Sequence, residues 1–252
     1  MKKVVSLFFA FFLSAFCFFT KVIHFNPSFL TTYFLDGEAE SVNLPLLIFE
    51  KPLKFLDNGN EAIAFTTHDN KYVVKFFLSK QVKKKTYFKP KKRLKQLFGK
   101  EALFHFDPLI LKKYEDAFND FPEESALVCV SLKKSKRKLP SCTLEDYRGK
   151  SFLVDLNAHP FVIQKKAKVL KSYESLKEED DFDQKLLGLF DLITKKGFRI
   201  DSKGFNSANY GFLEGRPVII DLGKIEKNLE NSESNLNEVL IQNYKNWLKL
   251  KD

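Results

Sequence analysis

Asn209-Tyr-Gly-Phe-Leu-Glu-Gly-Arg-Pro-Val-Ile-Ile-Asp221-Leu-Gly223 is the stretch on which the reading of this chain turns. Glu214-Gly215 supplies a turn, and the apolar residues on either side read as two short strands of one hairpin. An asparagine then stands before the first strand and an aspartate after the second. A hairpin that holds two hard oxygen donors at its open end can grip a hydrated Mg²⁺, which favours a few carboxylate or amide oxygens together with phosphate oxygens. Asn209 and Asp221 are therefore the candidate metal ligands.

Upstream, Leu44 to Leu78 reads as a β-meander. Pro52–Leu56 is a strand, Asp57-Asn-Gly-Asn60 a turn, Glu61–Thr67 a strand, His68-Asp-Asn70 a tight turn and Lys71–Leu78 a third strand. Alternation in the last strand puts Val73, Lys75 and Phe77 on one face, so the lysine is set among apolar neighbours. Either Lys75 guards an edge strand against pairing with another chain or it has chemical work to do. Pro108–Phe118 and Asp181–Lys196 have helical spacing of apolar residues. In the second, Phe182, Leu186, Leu189, Phe190 and Ile193 make one stripe and Gly197 is placed to stop it. Ser151–Asp155 reads as a strand and Pro160–Lys165 as a strand running into a connector.

Composition narrows the classes. The 252 residues carry a formal charge of +10, yet only five of the 42 basic residues are arginine, the residue best suited to reading phosphates and bases in a fork. No nucleic-acid partner is expected. Residues 80–100 hold ten basic side chains and no acidic one, and Lys133–Lys138 is a second basic run. They are read as solvated loops, with contact to anionic lipid as the sharper alternative. Three cysteines without a CxxC pair and four histidines give no zinc pattern and no disulfide framework. His159 and the pair Cys129 and Cys142 are read as structural. Val4–Phe19 is uncharged, with seven phenylalanines, behind Lys2 and Lys3. Residues 1–24 are thus expected to be a signal or anchor segment, with residues 4–20 in the membrane and the side on which the remainder lies left open.

Taken in order, the glycine-bearing turn, strand lysine, helix, connector strand, apolar helix, polar loop and Asn209/Asp221 hairpin resemble the protein-kinase-like superfamily in a short, divergent bacterial form. The resemblance covers about residues 50–225 in element order, with similarity of individual residues confined to the lysine strand and the hairpin. It implies an α+β, two-lobed fold, with a β-rich N-lobe over 44–165 and a truncated helical C-lobe over 166–252. It implies further that Lys75 holds the nucleotide's phosphates, that Gly59 lies in the turn covering them, and that Asp221-Leu-Gly223 with Asn209 holds Mg²⁺. Asp201, in Arg199-Ile-Asp201, takes the place of the residue that orients the acceptor hydroxyl. Glu115 is the implied partner of Lys75, with Glu124 and Glu101 as competitors. Phe161–Lys166 becomes the connector against which adenine rests, with Gln164 among the nucleotide-binding residues. Asn206, five residues after Asp201, competes with Asn209 for the metal. The implied function is an atypical, membrane-tethered phosphotransferase using Mg²⁺ and ATP, its acceptor unknown. The alternatives are a pseudokinase or interaction module that transfers nothing, and a membrane-tethered basic protein that binds anionic lipid.

Overall fold

The strand that carries Lys75 is an interior strand of the largest sheet among the described residues. The computed structural model describes residues 25–39, 44–59, 61–79, 106–170, 181–200, 206–227 and 242–246. In chain order the strands are β1 (Leu35–Ala39), β2 (Leu53–Asn58), β3 (Ala62–Thr66) and β4 (Tyr72–Phe77). Helix α1 (Leu109–Asp120) follows, then β5 (Leu127–Ser131), β6 (Lys133–Ser135), β7 (Ser141–Glu145), β8 (Ser151–Asp155), β9 (Phe161–Lys165) and β10 (Lys168–Val169). Helix α2 (Phe182–Lys195) leads to β11 (Phe198–Ile200), β12 (Tyr210–Leu213), β13 (Arg216–Ile219) and β14 (Ile225–Lys227). The fold class is α+β, rich in sheet and with few helices.

Seven strands form one sheet in the order β5-β9-β4-β3-β2-β7-β8. All neighbours are antiparallel except β2 and β7. The meander over β2, β3 and β4 forms as its alternation dictates, and the turn into β4 uses Asn70 at φ 59°, a left-handed conformation that asparagine tolerates well. Because β4 is flanked by β3 and β9, the edge-strand account of Lys75 does not hold. On β4 the pleat sends Val74 and Phe76 into one apolar cluster, with Phe65, Phe161, Ile163, Cys129 and Cys142. Phe77, one residue on, enters the other cluster with α1, α2 and the β12–β13 hairpin. Burial holds both Cys129 and Cys142 weakly acidic, each pushed up to about 12, and both are free thiols.

Helix α2 buries the stripe read from its spacing, whereas of the α1 residues at helical spacing (Leu109, Ile110, Leu111, Tyr114, Ala117 and Phe118) Leu109 is exposed and Phe118 only partly buried. Ile110, Leu111, Tyr114 and Ala117 of α1 are covered, as are Phe182, Leu186, Leu189, Phe190 and Ile193 of α2. Gly197, at φ 81°, ends α2 in the left-handed region where glycine is the natural residue. Tyr244 lies in the same cluster at 1% exposure, and its hydroxyl donates to the Asp183 carboxylate.

The basic run Lys133–Lys138 is in part a strand rather than a loop. Here β6 pairs in parallel with β1, Lys133 reaches Glu115 at 2.7 Å and Lys136 reaches Glu38 at 3.9 Å. His159 Nδ1 lies 2.9 Å from the Thr31 carbonyl oxygen, a structural tie between the N-terminal strap and the loop before β9. The run at 80–100 and the expected anchor at 1–24 lie outside the described residues. Among the described residues no helix is long and apolar enough to cross a membrane.

Candidate functional site

A cleft of about 530 Å³ opens between the β2–β4 meander, the connector after β9 and the open end of the β12–β13 hairpin. The β2–β3 turn forms one wall. Gly59 N–H donates to the Ala62 carbonyl at 2.9 Å, and a bulge between Phe55 and Asp57 breaks the ladder beside Leu56, which lines the cleft. Bulges bend a strand and re-aim a side chain. The cleft face of β3 and β4 contributes Ala62, Ala64, Val73, Lys75 and Phe77. The opposite wall is the short β10–β12–β13 sheet. Gly211 permits that packing, since a Cβ there would stand 2.8 Å from the Lys168 carbonyl oxygen and 3.0 Å from Ala167 Cβ.

At the open end of the hairpin the Asn209 carbonyl accepts from the N–H groups of Ile220 (2.8 Å) and Asp221 (3.2 Å), so the backbone holds the two residues next to each other. Asn209 is 9% exposed. Its Oδ1 accepts from Asn206 Nδ2 at 3.1 Å, while Asn206 Oδ1 caps the short 207–209 turn through Ala208 N–H. Asp221 Oδ1 accepts from Gly223 N–H at 3.1 Å. The two asparagines weighed as metal ligands thus form one hydrogen-bonded pair, with Asn206 acting as a cap.

Lys75 lies in the cleft with its ammonium donating to the Ile220 carbonyl and 5.9 Å from the centre of the Tyr114 ring. Burial lowers its pKa to about 8, with the charge of Asp221 opposing the shift. Tyr114 is 2% exposed. Burial raises its phenol well above the ordinary value, and the charges of Asp221 and Glu61 add to this. The adjacent Lys113 donates to the Gly223 carbonyl at 2.9 Å. Helix α1 therefore holds the 221–223 turn through Lys113.

Searches of family models and of curated proteins found no match. Among solved structures, the crystal structure of the Legionella pneumophila LegK7 effector kinase matches at 11% identity and a TM-score of 0.29, over 69% of this chain and 32% of that one. The chain thus aligns with about a third of that protein's length.

Of the residues singled out in the sequence, the structure brings Gly59, Lys75, Gln164, Asn209 and Asp221 to this one cleft. Glu115 is not among them and does not partner Lys75. On α1 it stands about 100° round from Tyr114, on the outer face, where Lys112 takes it at 2.8 Å and Lys133 at 2.7 Å. Glu124 is taken by Lys196 at 3.1 Å. Arg199 is turned outward to Glu226 at 2.8 Å across the β11–β14 ladder. Asp201 and Glu101 lie outside the described residues.

Sequence reasoning missed two cleft residues. Tyr114 was absorbed into the apolar stripe of α1, although a phenol in such a stripe needs a partner when buried, which was the available signal. Glu61 lines the cleft from the β2–β3 turn, close enough to the 221–223 turn that a Cβ on Gly223 would run into its carboxylate. Burial first, and then the charge of Asp221, raises the pKa of Glu61. The donors at this end of the cleft are carboxylate and carboxamide oxygens on rigid backbone, with Lys113 and Lys224 near Glu61. Hard oxygens of this kind are the donor class that Mg²⁺ favours, and no imidazole or thiolate lines the cleft among the described residues.

Proposed function

We propose that the chain is an atypical kinase-like phosphotransferase that takes Mg²⁺ and a nucleoside triphosphate in this cleft. The observation that carries the reading is one arrangement: a lysine on a central strand facing an asparagine and an aspartate held side by side at a hairpin's open end. Lys75 would neutralise phosphate charge. Asp221 and Asn209 would hold Mg²⁺, which when bound bridges and neutralises phosphate oxygens. The β2–β3 turn with Gly59 would cover the phosphates, and the apolar wall formed by Ala62, Ala64, Val73 and Val169 would exclude water from the base. Asp201 is assigned the acceptor hydroxyl on the resemblance alone. Catalysis in such a site is positioning and charge neutralisation with little covalent work for the protein. Residues 4–20 would tether the enzyme to a membrane, which retention of the full chain in the membrane fraction after alkaline carbonate washing would test.

The deciding experiment is a thermal melt of the full chain with ATP, with and without Mg²⁺, for the parent and for Asp221→Asn. A ligand present at a hundred times its dissociation constant stabilises the folded state by about 2.7 kcal/mol. The expected result is a rise in Tm that needs both ATP and Mg²⁺ and is absent in Asp221→Asn. No rise under any condition at millimolar nucleotide would refute the reading.

A second reading, nucleotide binding without transfer, is favoured by Tyr114. The helix residue that faces Lys75 is a phenol, neutral at physiological pH, where the resemblance implies a carboxylate. Transfer of labelled γ-phosphate to the chain itself or to a general acceptor, lost in Asp201→Asn, would decide for the enzyme.

A further inference from the structure

The bond from Lys113 Nζ to the Gly223 carbonyl, 2.9 Å long, joins residues 110 positions apart in the chain. It is a tertiary tie between α1 and the 221–223 turn. The same ammonium lies 3.6 Å from Glu226 on β14. That second contact is the weaker one, because Glu226 is half-exposed and is also taken by Arg199 at 2.8 Å.

Gly223 is held at both of its backbone polar groups. Its N–H donates to Asp221 Oδ1 at 3.1 Å, and its carbonyl accepts from Lys113. A glycine is required at this position, since a Cβ would run into the Glu61 carboxylate, and glycine is the residue that restrains its own backbone least. The restraint therefore comes from outside the turn. A metal-ligating carboxylate is itself oriented by hydrogen bonds, and losing the partners that orient it typically costs about 10–100-fold in metal affinity or activity. A lysine near a cation site can also act in the opposite direction, by repelling the metal. The two effects give opposite signs on removal of Lys113. The geometry favours orientation: the ammonium is engaged by a carbonyl and by Glu226, and Lys113 is not among the residues that line the cleft.

Resting on the Mg²⁺ and nucleotide reading above, we propose that Lys113 is a positioning residue for the metal. It fixes the Gly223 carbonyl and, through the Gly223 N–H, the Asp221 carboxylate in the orientation that takes Mg²⁺. Where the resemblance to kinases implies a helix carboxylate that steadies the strand lysine, α1 presents a lysine that steadies the 221–223 turn.

The test uses the full chain as parent, Lys113→Met, Lys113→Arg and Glu226→Gln. One measurement is hydrogen exchange of the Gly223 amide without ligand; the other is the Mg²⁺ concentration that half-saturates the rise in Tm at fixed ATP. In Lys113→Met the Gly223 amide loses protection and the Mg²⁺ requirement rises about tenfold. Arginine, which keeps a donor for the carbonyl, restores both. Glu226→Gln, which removes only the weaker contact, leaves both at the parent's values. An Mg²⁺ requirement in Lys113→Met that is unchanged, or lowered as charge repulsion would have it, would overturn the role of Lys113 and leave nucleotide binding standing. Unchanged exchange at Gly223, or a loss that arginine does not restore, would do the same. A parent without any Mg²⁺-dependent rise would overturn both readings. Methionine is a good helix former and close to lysine in length, so the variant keeps α1 intact.

Discussion

Lys75 is an ionisable group set where the fold alone would put valine, and the consequence can be read as a function of pH. Burial lowers its pKa from 10.5 to about 8, so the unfolded chain holds this proton more tightly than the folded one. Stability should rise as pH climbs from about 8 towards 10.5, where the unfolded state still binds a proton that the folded state has released. Below that window the charged lysine costs the fold on the order of 3 kcal/mol. Lys75→Met should therefore melt higher than the parent at pH 7, with a gain that shrinks above pH 8 and is gone above 10.5. The same variant should lose the nucleotide-dependent rise in Tm. A methionine variant less stable than the parent at pH 7 would show that the ammonium earns its place structurally. Glu61 has the matching sign for an acid: its pKa is raised by burial and by Asp221, so its ionised form opposes folding. Glu61→Gln should stabilise the chain at neutral pH, and urea melts at several pH values should show the advantage shrinking as pH falls towards the ordinary glutamate value and gone below it.

The hairpin that carries Asn209 and Asp221 is paired with the connector through the β10–β12 ladder, and Gly211 packs closely against Lys168 within it. Gly211→Ala would drive a Cβ into the Lys168 carbonyl and Ala167, contacts that only backbone movement can relieve. We expect a loss of about 1–3 kcal/mol in urea unfolding, accompanied by weaker nucleotide binding, because the strand that must move lines the cleft. Leu186→Ala in the α2 stripe should cost about 2–5 kcal/mol and leave binding largely intact. These elements were legible in the sequence. The hairpin announced itself by Glu214-Gly215 between apolar runs, α2 by its five-residue stripe and the meander by its turns. The strands β5, β6 and β7 were not. Leu127–Ser131 and Ser141–Glu145 are short and mix serine, cysteine and threonine with aliphatics, and Lys133–Ser135 reads as a charge run. What makes each a strand is a partner far away in sequence: β9 for β5, β2 for β7 and β1 for β6. The cleft was legible through residue types that stand out in their strands, Lys75 and Asp221 above all. Glu115 misled because element order alone does not say which face of a helix turns inward.

Across the whole molecule, the large sheet lies between two apolar clusters that meet along β4. Phe76 belongs to one and Phe77 to the other, and Phe77 also meets the Tyr114 ring edge-on at 5.2 Å. Because consecutive residues of one central strand serve both clusters, the described part should unfold as a unit. Phe76→Ala and Phe77→Ala should each remove about 3–5 kcal/mol from a single calorimetric transition. Two resolved transitions, only one of them moved by each variant, would show separate cooperative units. The same layered packing has a practical side. Cys129 and Cys142 are sealed in one cluster and held mostly as neutral thiols, so alkylating dyes that attack the thiolate should pass them by. Cys17 falls outside the described residues and can be changed to serine. A single new thiol at Asp57, exposed on the rim of the cleft, would then accept a fluorophore at one address. Its emission would report the approach of the β2–β3 turn to whatever the cleft takes in, turning two inert cysteines into the reason this molecule can be watched at work.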